Sequence, residues 1–131
     1  MNKQIRWKQR FQNYKQAFRN LEDATKLKQY SKLEQAGLIQ TFEFCFELAW
    51  KTLKDFLESE GITASSPREV IKESFKANFI TDGHAWIDAL EKRNLLTHTY
   101  SEEMSSQAEE LIKDKYFPIM KQFKESFESK L

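Results

Sequence analysis

The sequence predicts an all-α protein, an antiparallel up-and-down four-helix bundle with one extra short helix. Three observations carry this. Only three glycines and two prolines occur in 131 residues, too few for the turns of a β-sandwich or barrel. Aromatic residues make up 14%, eleven of them phenylalanine, enough for a bulky core in a chain that is 31% charged. The apolar residues recur at helical spacing. No repeat, linker or low-complexity tract divides the chain, so residues 1–131 are expected to form one domain.

The first helix, about 25 residues long, is read from Trp7, Phe11, Tyr14, Phe18 and Leu21, spaced by 4, 3, 4 and 3 residues. A polar break near Lys28–Ser31 ends it. The second, from about Ser31 to Ser59, has Ile39, Phe42, Phe46, Ala49, Leu53 and Phe56 on one face and Phe44 and Leu48 on the other. A helix apolar on two sides is usually covered on two sides, so this one is expected to meet a second copy of the chain, making a homodimer. Gly61 stops it as a left-handed cap.

Ser66-Pro67-Arg68-Glu69 supplies an N-cap serine, a proline at the first helical position and a glutamate for a capping box. It opens a short helix whose apolar residues are Val70, Ile71, Phe75 and Phe79. Thr81-Asp82-Gly83 interrupts that helix and caps a fourth, which carries Trp86, Ala89 and Leu90. The last begins near Ser101, with Met104, Ala108, Leu111 and Ile112 inward, and Pro118 is expected to kink or break it before Ile119, Phe123 and Phe127.

Several function classes are disfavoured. No apolar run is long enough to span a bilayer, and the first residues lack a signal-peptide core, so no membrane association is expected. A single cysteine, Cys45, set between two phenylalanines, reads as a buried inert thiol in a reducing compartment, and the cytoplasm is the expected location. No Gly-rich phosphate loop, Cys/His metal spacing or Glu-x-x-His pair occurs, so neither metal nor cofactor is expected. The net charge of +1 hides an asymmetry. Residues 1–32 hold nine Lys/Arg against Glu22 and Asp23, a balance of +7, and the remainder twelve against eighteen, a balance of −6. That basic helix is either a solvated face or a surface for phosphates or an acidic partner.

Only two histidines exist. His84, beside Gly83, reads as a surface or capping residue. His98 closes the run Arg93-Asn94-Leu95-Leu96-Thr97-His98-Thr99-Tyr100. At 100° per residue Arg93 continues the apolar stripe of Trp86, Ala89 and Leu90, where a guanidinium must be paired or line a wet cleft. Asn94 and His98 stand one turn apart. A fixed cation, an amide and an imidazole suit metal-independent RNA cleavage, in which histidine moves the proton and arginine meets the charge on phosphate. The structural alternative is an arginine salt bridge with a histidine favoured by the helix C-terminus.

Arg93-x4-His98-x-Tyr100 in an all-helical chain resembles the HEPN family and, within it, the HepT-type toxins. The chain more closely resembles the nucleotidyltransferase substrate-binding subunits, which share Phe42-Glu43-Phe44-x-x-Glu47-Leu48-x-Trp50-Lys51 and Trp86-x-x-Ala89-Leu90-x-x-Arg93-Asn94. The resemblance implies a helical bundle that dimerises so that two Arg-x4-6-His motifs face one ribonuclease cleft. By position, Arg93 and His98 would be catalytic, Asn94 the polar residue after the arginine, and Tyr100 the target of a minimal nucleotidyltransferase antitoxin that adenylylates it and silences the toxin. The other implication is a non-catalytic subunit that binds a nucleotide or small substrate for a nucleotidyltransferase on a partner chain, as the helical domain of kanamycin nucleotidyltransferase does. There Glu43 or Glu47, on a polar stripe with Lys54, would contact a substrate hydroxyl.

Overall fold

A computed structural model describes residues 2–98 and 101–131, the side chain of residue 98 excepted. The described elements are α1 (Lys3–Ala24), α2 (Lys32–Ser59), α3 (Pro67–Lys76), α4 (Gly83–His98), α5 (Glu102–Leu111), a π-helical turn (Ile112–Tyr116) and α6 (Phe117–Glu128). No strand occurs among the described residues. The last three elements run on without interruption as one rod.

Pairing across the core gives the topology. Trp7 packs against Phe127, Phe11 against Phe123 and Phe18 against Phe117, so α1 runs antiparallel to the α5–α6 rod. Arg6 reaches Glu58 and Arg10 reaches Asp55, which makes α1 antiparallel to α2. Phe46 meets Trp86, and Arg93 reaches Glu47, so α4 packs beside α2. Thr81 bonds Gln122 and Tyr116 bonds Asp88, which sets α4 antiparallel to the rod. The result is the expected up-and-down bundle, with α3 as the extra short helix on its flank.

The α1 seam is buried throughout, from Trp7 to Leu21. Tyr14, fully enclosed, donates its hydroxyl to the Met120 carbonyl at 2.7 Å, which removes the cost of an unpaired polar group in the core. α1 itself ends at Ala24, before the polar break the sequence suggests, because Thr25 already turns its hydroxyl onto Glu22. Ser31 and Glu34 cap α2 with both bonds of a capping box. At its other end Gly61, at φ +82°, sends its N–H to Glu58 while Ile62 bonds Leu57, the paired bonds of a Schellman cap.

Three expectations are corrected. Ser66 accepts from Glu69 N–H, but the Glu69 carboxylate turns to Ser65 rather than completing the box at Ser66. α3 stops at a second Schellman cap on Asn78, at φ +63°, ahead of the Thr81–Gly83 interruption. Leu48 packs on the core and leaves Phe44, 62% exposed, as the apolar residue of the second face of α2; Phe75, an apolar residue of α3, is 51% exposed. Pro118, expected to kink or break the helix, deforms the rod without breaking it. A proline ring collides with the carbonyl four residues back, here that of Asp114, and the π-turn over 112–116 widens the helix there. Tyr116 and Lys115 pin that turn to α4 through the Asp88 carboxylate, at 2.6 and 3.1 Å.

Candidate functional site

The third to fifth turns of α2 place Gln40, Glu43, Phe44 and Glu47 on one stripe, at the spacing i, i+3, i+4, i+7 that sets side chains above one another. Facing them, α4 is anchored by Trp86, Ala89 and Leu90, all buried, and Ala89 is small enough to let the two helices approach. Beyond that anchor α4 presents Arg93, Asn94 and Thr97. The two stripes enclose an open cleft of about 470 Å³.

Arg93 organises the cleft. Its side chain is 26% exposed, and one arm of the guanidinium pairs with Glu47 while the other donates to Asn94 Oδ1 at 2.9 Å. The second oxygen of Glu47 receives Lys51 Nζ at 3.4 Å, so this carboxylate lies between two cations. Thr97 returns its hydroxyl to the Arg93 carbonyl at 2.8 Å. Glu43 sits on the same wall. Burial raises its pKa above the ordinary glutamate value of 4.5, and the nearby Arg93 charge pulls it partly back. Arg93, expected either to be paired or to line a wet cleft, does both.

Four of the six residues singled out from the sequence, Glu43, Glu47, Arg93 and Asn94, are thus brought to one site. His98 ends α4 immediately after Thr97; its side chain and Tyr100 lie outside the described residues. Sequence reasoning missed Gln40, Phe44 and Thr97 as walls, and Lys51 as the second partner of Glu47. Their signal was present in the spacing from Glu43 and Glu47 on α2 and from Arg93 on α4.

Two other sequence features are settled. The basic residues of α1 do not line this cleft; Arg10 is spent on Asp55 at 2.8 Å, Arg6 on Glu58 at 3.3 Å and Lys15 on Glu128 at 3.9 Å. The +7 of the first segment therefore meets part of the acidic surplus of the rest. Cys45 is buried, and burial pushes its thiol far above the usual range, which makes it unreactive.

Comparison with known proteins agrees with this architecture. Residues 9–129 match the family model described as nucleotidyltransferase substrate binding protein like. The chain belongs to this family. A curated relative, a probable ribonuclease HepT from Haemophilus influenzae (strain Rd), is 33% identical over 73 residues. That match covers 52% of this chain and 50% of the relative, so the chain spans about half the length of the curated relative it matches. A crystal structure of a Thermus thermophilus protein superposes with a TM-score of 0.78 at 29% identity, over 84% of this chain and 94% of that one. The chain thus shares its helical bundle with the Thermus thermophilus protein. No helix is long and apolar enough to cross a membrane.

Proposed function

We propose that the chain is the HepT-like half of a two-component pair, a metal-independent ribonuclease silenced when a minimal nucleotidyltransferase partner adenylylates Tyr100. The observation that carries this is Arg93, a partly exposed guanidinium held by Glu47 in the α2–α4 cleft, on the helix that ends at His98. The name of the Haemophilus influenzae relative supports it.

In this reading an RNA 2′-hydroxyl attacks its own 3′-phosphorus, the bond to the 5′-oxygen breaks, and a 2′,3′-cyclic phosphate and a 5′-hydroxyl form. The imidazole of His98 takes the proton of the attacking hydroxyl, and a second copy of His98, brought across a homodimer, protonates the departing oxygen. Arg93 meets the charge building on the phosphoryl oxygens with its two-pronged donors. Glu47 and Asn94 hold that guanidinium in one orientation, and the phosphate displaces part of this pairing when it enters. Transfer of AMP to the Tyr100 hydroxyl, with release of pyrophosphate from ATP, would add an anion and bulk beside the motif and exclude the substrate phosphate.

A specific observation favours a second reading. Glu43 and Glu47 set two carboxylates beside one arginine, a wall suited to a hydroxylated or cationic small molecule. That suits a substrate-binding subunit whose catalytic domain lies on the partner chain, as the family description suggests. The test is to incubate the purified chain with RNA in EDTA, and separately with the nucleotidyltransferase and ATP. Cleavage abolished by His98→Ala without loss of helicity, together with an AMP adduct on Tyr100, is the expected result. An uncut RNA and an unmodified chain, with nucleotide transferred to a small molecule only by the complex, would overturn it in favour of substrate binding.

A further inference from the structure

On the flank of the bundle, away from the Arg93 cleft, α3 and α4 enclose a second concavity of about 310 Å³, at the small end of the range for small-molecule sites. Its floor is apolar: Ile71 from α3, Ile87 from α4 and the ring of Phe75. Its rim carries Arg68 and Lys72, one turn apart on α3, with His84 opposite on α4. Among the described residues no carboxylate lines it, and none lies within ion-pair distance of Arg68, Lys72 or His84.

Three features make this more than a chance hollow. Arg68 stands in the first turn of α3, where the helix dipole disfavours a cation, so its charge adds to the positive potential of the helix start instead of cancelling it. Nearby acids point to other partners: the Glu69 carboxylate accepts from the Ser65 N–H and hydroxyl, Asp82 from the Ala85 N–H and Asp88 from Tyr116, while Glu73, next to Lys72, does not line the groove. Phe75 is a wall held in place rather than a loose side chain. A Cβ at Gly83 would come within 2.9 Å of its Cγ, so the glycine lets the ring pack close against the start of α4 while half of the residue stays exposed.

We propose that this groove binds a small organic anion, a single flat aromatic body bearing one carboxylate. The body lies on Phe75 between Ile71 and Ile87, and the carboxylate takes the planar fork of Arg68 with Lys72 beside it. His84 supplies a further hydrogen bond from the opposite rim. Charge complementarity selects the anion over a neutral or cationic ligand, and the fixed ring selects an aromatic body over a flexible chain.

The probe is 1-naphthoate, with 1-naphthalenemethanol as its neutral counterpart, titrated into the ¹⁵N-labelled chain and followed by amide chemical shifts. Saturable shifts over residues 68–75 and 83–87, with the alcohol binding about fivefold or more weakly, are expected. The double variant Arg68→Gln/Lys72→Gln, its helicity checked by circular dichroism, should weaken naphthoate about tenfold. Equal binding of acid and alcohol, equal binding by the double variant, or shifts confined to the Arg93 cleft would each overturn the proposal. So would an acidic peptide that occupies these residues where naphthoate does not, which would make the groove a protein-docking site. Neither RNA cleavage nor nucleotide transfer enters the readout, so failure here leaves the proposed function untouched.

Discussion

Arg93 shows how much a single side chain can report. Its place on an apolar stripe demanded a partner, and the partner, Glu47, lies 46 residues away on α2, where only the fold could put it. Glu43 is the costlier neighbour. Its pKa is raised by burial, so the folded state holds the proton more tightly than the unfolded one. Stability from this residue is therefore at its best below the ordinary value of 4.5 and falls as pH rises through the raised folded value. Glu43→Gln should accordingly raise the melting temperature at pH 7 and leave it unchanged well below 4.5, in thermal scans across pH. A neutral-pH loss of stability would show that the carboxylate is held by bonds favouring its charged form, and would remove the reason to regard it as stability given up for function.

At the scale of elements, caps were the most legible feature and side-chain packing the least. Ser31 with Glu34 and Gly61 were readable because each works through bonds to its immediate neighbours. Asn78 escaped because its left-handed conformation is one of several that asparagine adopts, and only the packing of α3 selects it. Gly83 carries its meaning in tertiary space: it gives Phe75 room. Gly83→Ala should cost about 1–3 kcal/mol in urea unfolding through overpacking against that ring. In a Phe75→Ala background the same change should become neutral or mildly stabilising, since alanine is the better helix former by about 1 kcal/mol. A penalty that persists in that background would place the clash elsewhere. The rod shows the same division. The sequence marks Pro118 as trouble, but widening the preceding turn keeps the helix whole.

For the whole molecule, the uneven charge distribution finds its explanation in pairing. The basic residues of α1 that looked like a nucleic-acid surface are partly consumed by Asp55, Glu58 and Glu128. Phe44 remains the outlier: a large aromatic residue, 62% exposed, on the wall of the cleft and beside a second hollow formed with Ala17 and Asn20 of α1. The ribonuclease reading needs two copies facing one cleft, and burying one such ring contributes about 2 kcal/mol per copy. Sedimentation velocity should show a dimer for the natural chain and a monomer for Phe44→Glu, with helicity retained in both. A natural chain that sediments as a monomer at micromolar concentration would remove the second His98 from the mechanism.

The amino-acid sequence by itself determined the helices, their order and most of their caps, because these depend on periodicity and on bonds within a few residues. It also singled out Arg93, Asn94, Glu43 and Glu47 before any of them could be seen to meet. The tertiary structure alone decided that α2 and α4 lie side by side, so that these four share one cleft, and that Phe75 stands exposed at a basic-rimmed groove while Leu48 is covered. Those outcomes depend on which faces pack together across the core. A hydrophobic pattern records that a face will be buried, but not which face it will be buried against.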